Sequence, residues 1–178
     1  MLRLCLPVIA ALALVGPALA QEHRAQDHAA HGAPACAAVD VAAPAGWSRR
    51  VELTAATEDG GASAAMLGLG QSAKARLTSG AEVVFPVAPQ KTPAGETYAG
   101  LFELNVPVAG TYRLSLSEPA WVDVVENGLL IEAAAHAHGP PCGTVRKMVD
   151  FPLKAGRHVV EIAGAPKPDI VIMAAPAS

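Results

Sequence analysis

Aromatic residues are scarce in this chain, since Phe, Trp and Tyr together make up only 4% of its 178 residues. The hydrophobic fraction is 52%, but much of it is alanine, so that figure overstates the core. A basic excess is also lacking, because 13 Lys and Arg face 16 Asp and Glu. Nucleic acid needs a basic stripe and anionic membranes attract polybasic segments, so neither partner is favoured. No Gly-x-Ser-x-Gly elbow is present, and the sequence predicts no catalytic residue.

Long apolar runs are confined to the N-terminus. Arg3 provides a short positive start, residues 4–15 are apolar, and Ala18 and Ala20 form a small-residue cleavage site. This layout predicts a secretory signal peptide over residues 1–20, and the apolar run is too short to span a bilayer. We therefore expect a periplasmic or secreted protein without stable membrane insertion.

Cysteine is rare as well, with three in the chain. Cys5 would leave with the signal peptide, so Cys36 and Cys142 would remain in a compartment where disulfides persist. A disulfide between them would close a loop of about 100 residues and stabilise the fold by about 4–5 kcal/mol. The alternative is a free thiolate that ligates a metal, as in copper sites.

The remaining chain divides into two parts. Residues 21–45 are rich in Ala, His, Gly and Pro without a sustained period, which predicts a flexible lead-in. Residues 46–178 alternate in polarity, with turn signals about every 8–12 residues, which predicts one antiparallel β-sandwich or barrel. Asn127-Gly128 is the strongest hairpin signal. The predicted strands are 51–54, 66–70, 73–78, 83–87, 98–106, 111–117, 121–126, 129–136, 145–151, 158–162 and 170–173.

Two of these segments resemble each other. Residues 108–114 and residues 154–160 both contain an Ala-Gly turn that begins an alternating strand, and His158 takes the place of Tyr112. Glycine supplies a backbone angle that other residues resist, so we interpret both as ordinary β-turns rather than as a duplication. By this interpretation His158 is a half-buried strand residue.

The run from Phe102 to Asp123 carries Val-Ala-Gly-Thr-Tyr at 108–112, followed by Trp-Val-Asp at 121–123. It resembles the jelly-roll β-sandwich of bacterial pre-peptidase C-terminal domains. The longer stretch 98–176 is similar to a group of small exported bacterial proteins, some of which are labelled homogentisate 1,2-dioxygenase. Homogentisate 1,2-dioxygenase itself resembles a much longer cytosolic cupin. The resemblance of this chain therefore implies a jelly-roll-like sandwich but does not imply dioxygenase activity.

His136 and His138 form the most informative histidine pair. On a strand that continues to His138, Leu129, Ile131 and the alanines would face the core, and both histidines would share the wetter face with Glu132. Residues two apart on a strand are about 6.6 Å apart along the backbone, so both imidazoles could bind one metal ion. The alternative is two solvated histidines at a strand end. The candidates for further ligands are His158, Asp123, Asp150 and His31.

A second candidate metal site lies at the predicted mature N-terminus. If cleavage follows Ala20, His23 becomes the third residue, and its imidazole can join the terminal amine and two backbone nitrogens in a square plane around Cu(II) or Ni(II). The alternative is a polar solvated tail.

Two further features are open to more than one interpretation. Trp121 is predicted to anchor the core, with a sugar-stacking platform as the alternative. Arg146 and Lys147 are interpreted as a solvated pair, or as partners of Asp123 or Asp150, since exposed pairs contribute only about 0–1 kcal/mol.

These observations predict a non-catalytic periplasmic β-sandwich that binds a transition metal, copper before zinc, through histidines. His136, His138, His158, His23 and His31 are the candidate ligands, and a metal ion is the expected partner. One alternative is a cell-envelope module that recognises another protein or a glycan. The other is a small cupin-like metal-dependent dioxygenase, although the acidic ligand expected after His138 is missing.

Overall fold

The computed structural model describes residues 43–91, 94–139 and 142–177, all within one compact unit that spans Cys36–Ser178. The predicted signal peptide, nearly all of the predicted lead-in, and His23, His31 and Cys36 lie outside the described residues. Within the described part of the chain, no helix has the length and apolar character needed to cross a membrane.

The described residues form two six-stranded β-sheets, which confirms the predicted all-β sandwich. The strands are β1 Arg50–Thr54, β2 Met66–Leu67, β3 Ser72–Arg76, β4 Thr78–Ser79, β5 Tyr98–Val106, β6 Gly110–Leu116, β7 Trp121–Glu126, β8 Leu129–Leu130, β9 Ala135–His138, β10 Lys147–Leu153, β11 Gly156–Ala165 and β12 Asp169–Pro176. The first sheet has the order β1-β3-β12-β6-β10-β9; the second has β2-β5-β11-β7-β8, with β4 also paired to β5. Short 3-10 helices occupy Asp59–Ala64 and Gly80–Glu82.

The sequence predicted purely antiparallel sheets, but the structure contains two parallel strand pairs. β1 runs parallel to β3, and β2 runs parallel to β5. In both cases at least one other strand and a 3-10 helix lie between the two partners along the chain, so the two strands are not joined by a tight hairpin. The other strand pairs are antiparallel.

The core follows the alternation of side chains along the strands. Phe102 and Leu104 of β5, together with Val160 and Ile162 of β11, are buried between the two sheets. The opposite face of the second sheet carries Leu101, Val125 and Val159, which pack with Val83, Phe85 and Val87. Both faces of β5 and β11 are therefore covered, which explains their nearly continuous apolar sequences.

Residues 83–91, which we call the strap, pass across this outer face. The strand predicted at 83–87 is wrong, because these residues do not pair in either sheet. Their alternating apolar side chains satisfy the strand pattern, but they cover a sheet instead of extending one. The predicted hairpin at Asn127-Gly128 is present, with positive φ angles of 51° and 75° and with Glu126 opposite Leu129.

The two similar turns adopt one hydrogen-bonding pattern. The Tyr112 hydroxyl donates to the carbonyl oxygen of Val108, four residues earlier, at 2.8 Å. His158 Nε2 donates to the carbonyl oxygen of Lys154, also four residues earlier, at 2.9 Å. His158 is 1% exposed, so it is fully buried rather than half-buried. The similarity between residues 108–114 and residues 154–160 therefore reflects a shared structural role. In each segment the ring makes a hydrogen bond that links its strand to the preceding turn.

Candidate ligand and metal site

The predicted strand through Leu129 to His138 is broken. Leu129–Leu130 forms β8 in the second sheet and Ala135–His138 forms β9 at an edge of the first. Residues 131–134 carry the chain from one sheet to the other. Because the strand is interrupted there, the alternation counted from Leu129 does not continue into β9.

The faces predicted for β9 are consequently reversed. His136 lies opposite Val149 of β10, and His138 lies opposite Lys147. Directly opposed residues share a sheet face, and Val149 belongs to the core between the sheets. The histidines therefore point to the inner side, at the open edge of the sandwich, and Ala135 and Ala137 point to the outer side; all four residues are exposed to solvent.

Both imidazoles line one cavity of about 570 Å³. It lies where β7 of the second sheet faces β9 and β10 of the first, with the end of the strap nearby. Its lining residues are Gln90, Lys91, Trp121, Val122, Asp123, Glu132, Ala133, His136, His138, Lys147, Val149 and Phe151. An adjoining cavity of about 360 Å³ shares Lys91, Trp121, His138 and Lys147 with it.

The structure brings together only some of the predicted ligands. His136, His138 and Asp123 line the larger cavity, and Glu132, which was predicted to share a face with the histidines, lines it too. His158 and Asp150 are not among its lining residues. Within the described residues, no group of three or more His, Cys, Asp or Glu side chains is arranged to hold a metal ion.

Asp150 and His158 have other partners. Both oxygens of Asp150 accept hydrogen bonds from Arg113, from Nε at 2.7 Å and from a terminal nitrogen at 2.8 Å. This bidentate pair raises the pKa of Arg113. His158 points the same way as Val160 and Ile162, and its Nδ1 is buried without a hydrogen-bond partner among the described residues.

Trp121 is a half-buried residue at the cavity rather than a core anchor. Its indole N–H donates to Asp123 Oδ2 at 2.8 Å. The ammonium nitrogens of Lys147 and Lys91 lie 4.5 Å and 4.9 Å from its ring centroid. Lys147 also donates to the carbonyl oxygen of Ala120 at 2.9 Å, and burial lowers the pKa of Lys147. Lys147 is therefore engaged with Trp121 and not a solvated side chain.

A buried pair of carboxylates holds the strap beside this cavity. Glu161 of β11 lies opposite Asp123 of β7, and both are almost fully buried. The backbone N–H of Val87 donates to Glu161 Oε1 at 3.3 Å, and that of Gln90 donates to Asp123 Oδ2 at 3.1 Å. Burial raises the pKa of Glu161 to about 7, and the charge of Asp123 acts in the same direction.

The sequence did not identify Glu161, or Lys91 of the strap, as a residue near this cavity. A signal for Glu161 was present, since it is the one charged residue in the apolar run 159–163, where a buried polar group needs partners. Lys91 carried no such signal, because only the fold brings the strap to Trp121.

Cys142 is disulfide-bonded, and its predicted partner Cys36 lies outside the described residues. The pairing with Cys36 therefore stays a prediction.

A scan against protein-family models and a search of curated proteins both find no match for this chain. The resemblance to pre-peptidase C-terminal domains likewise stays a prediction.

Proposed function

We propose that this protein is an exported, non-catalytic β-sandwich that binds a copper or zinc ion through His136 and His138. The observation that carries the proposal is the position of the two imidazoles, which lie two residues apart on one edge strand and line one cavity. Imidazole nitrogens bind these ions at about 2.0–2.1 Å, and neighbouring same-face positions on a strand let two rings approach one ion.

The pair needs at least one further ligand for a stable site. Zinc and copper sites in proteins typically have three or more protein ligands, and the described residues offer no assembled third one. We propose that the third ligand comes from the histidine-rich lead-in, with His31 as the first candidate and His23 as the second.

The disulfide supports this arrangement. Cys142 follows His138 closely in the chain, and Cys36 follows His31 closely. A bond between Cys36 and Cys142 would keep the lead-in histidines near β9, at a high effective concentration. The metal would then link the lead-in to the sandwich.

A metal titration of the untagged protein tests the proposal. Cu(II) and Zn(II) are titrated after chelator treatment, and bound metal is measured by mass spectrometry. The variant His136→Ala/His138→Ala should lose affinity by about 100-fold or more, as expected when first ligands are removed. Binding unchanged in that double variant would refute the strand site.

A matched variant separates the lead-in from the strand. The lead-in also contains His28, between His23 and His31. Replacing these three histidines together by alanine should weaken binding to a smaller extent, because the pair on β9 would remain. Loss of all binding in this variant alone, with full binding in the β9 variant, would place the metal on the lead-in and contradict the proposal.

A further inference from the structure

We propose that the groove lined by Lys91, Lys147 and Trp121 binds a small organic carboxylate. The chain has five lysines, all of them in the described residues. Three form ion pairs, with nitrogen–oxygen distances of 3.0–3.5 Å: Lys74 with Glu52, Lys154 with Glu126, and Lys167 with Glu118. Within the described residues, Lys91 and Lys147 have no carboxylate oxygen within 4.0 Å of their ammonium groups.

Both of these lysines contact the same indole. Their ammonium nitrogens lie 4.9 Å and 4.5 Å from the Trp121 ring centroid, so two positive charges are held close to one indole. An anion near both ammonium groups would reduce the repulsion between their positive charges.

The rest of the groove fits an anionic ligand with a neutral body. Asp123 and Glu132 line the larger cavity, whereas the adjoining cavity has no carboxylate among its described lining residues. Asp123 Oδ2 already accepts from Trp121 and from the Gln90 backbone. The adjoining cavity, which is lined by the same two lysines, Trp121 and His138, also includes Pro119 and Ala120. Apolar and aromatic walls with a few charged groups are typical of sites for small molecules. The inference uses neither imidazole as a metal ligand, so it does not depend on the proposed function.

Calorimetry with glucuronate tests the inference, with glucose as the neutral probe of the same ring. The untagged protein is first stripped of metal, and the chelator is then removed by dialysis, so that neither a metal ion nor a polycarboxylate chelator affects glucuronate binding. We expect saturable binding of glucuronate and none of glucose. In Lys147→Met and Lys91→Met the dissociation constant of glucuronate should rise about tenfold, as expected for one lost charge-assisted contact.

Lys154→Met is the matched control, since it removes the same charge from a lysine that is paired on the surface. Its affinity for glucuronate should equal that of the unmodified protein. Lys91→Met lies on the strap, so it keeps the test valid if Lys147→Met fails to fold. No binding of glucuronate, equal binding of glucose, or an equal loss in Lys154→Met would each overturn the inference.

Discussion

Replacing Glu161 by glutamine should abolish one component of the pH dependence of stability. The pKa of Glu161 is about 7 in the folded protein, against an ordinary value of 4.5. The folded state therefore binds this proton more tightly than the unfolded state does. The associated stability is complete below about pH 4.5 and is lost as the pH rises through 7.

The size of the effect follows from these two values. Between pH 5 and pH 8, ionisation of Glu161 should lower the free energy of unfolding by about 2–3 kcal/mol. Glu161→Gln keeps the shape and the acceptor for the Val87 N–H but carries no titrating proton. Relative to the unmodified protein, the variant should therefore gain about 2–3 kcal/mol of stability from pH 5 to pH 8.

Urea unfolding at several pH values, followed by tryptophan fluorescence, measures this difference. Any constant cost of burying the amide shifts the variant's curve equally at every pH, so the change with pH isolates the carboxyl group. Glu58→Gln, at an exposed position, is the control and should follow the unmodified protein. Parallel stability curves for the unmodified protein and Glu161→Gln would refute the reasoning.

Three other predictions concern the scaffold. Phe151→Ala should lower the free energy of unfolding by about 3–5 kcal/mol in urea titrations, because a fully buried ring is removed; a loss below 1 kcal/mol would contradict the packing. Tyr112→Phe should cost about 1 kcal/mol in the same assay by removing the hydrogen bond to Val108, and no change would show that this bond contributes nothing to stability. Reduction of the Cys142 disulfide should lower the melting temperature and cost about 2–5 kcal/mol, whereas Cys142→Ser should be insensitive to reductant.

The sheet class was predictable because alternation is a local property. The strands at Tyr98–Val106 and Trp121–Glu126 agree with their predicted bounds, and their buried faces follow the apolar pattern. The parallel pairs β1–β3 and β2–β5 were not predictable, since each depends on contacts between distant segments. The strap shows the same limit, because an alternating segment can cover a sheet as well as extend one.

The candidate site was predictable in its residue types and not in its geometry. His136 and His138 do share a face, but which face depends on the crossover at residues 131–134. Trp121 lines the cavity, where Lys147 of β10 and Lys91 of the strap contact its ring. Those contacts are tertiary, and no local pattern encodes them.

The shortness of β9 has a consequence for any attempt to transplant this histidine pair. Four residues at a sheet margin are aligned by their ladder with β10 alone, so a slip of a single position would turn both rings outward into bulk water. Grafting His-Ala-His onto another protein would thus fail unless the neighbouring ladder came with it.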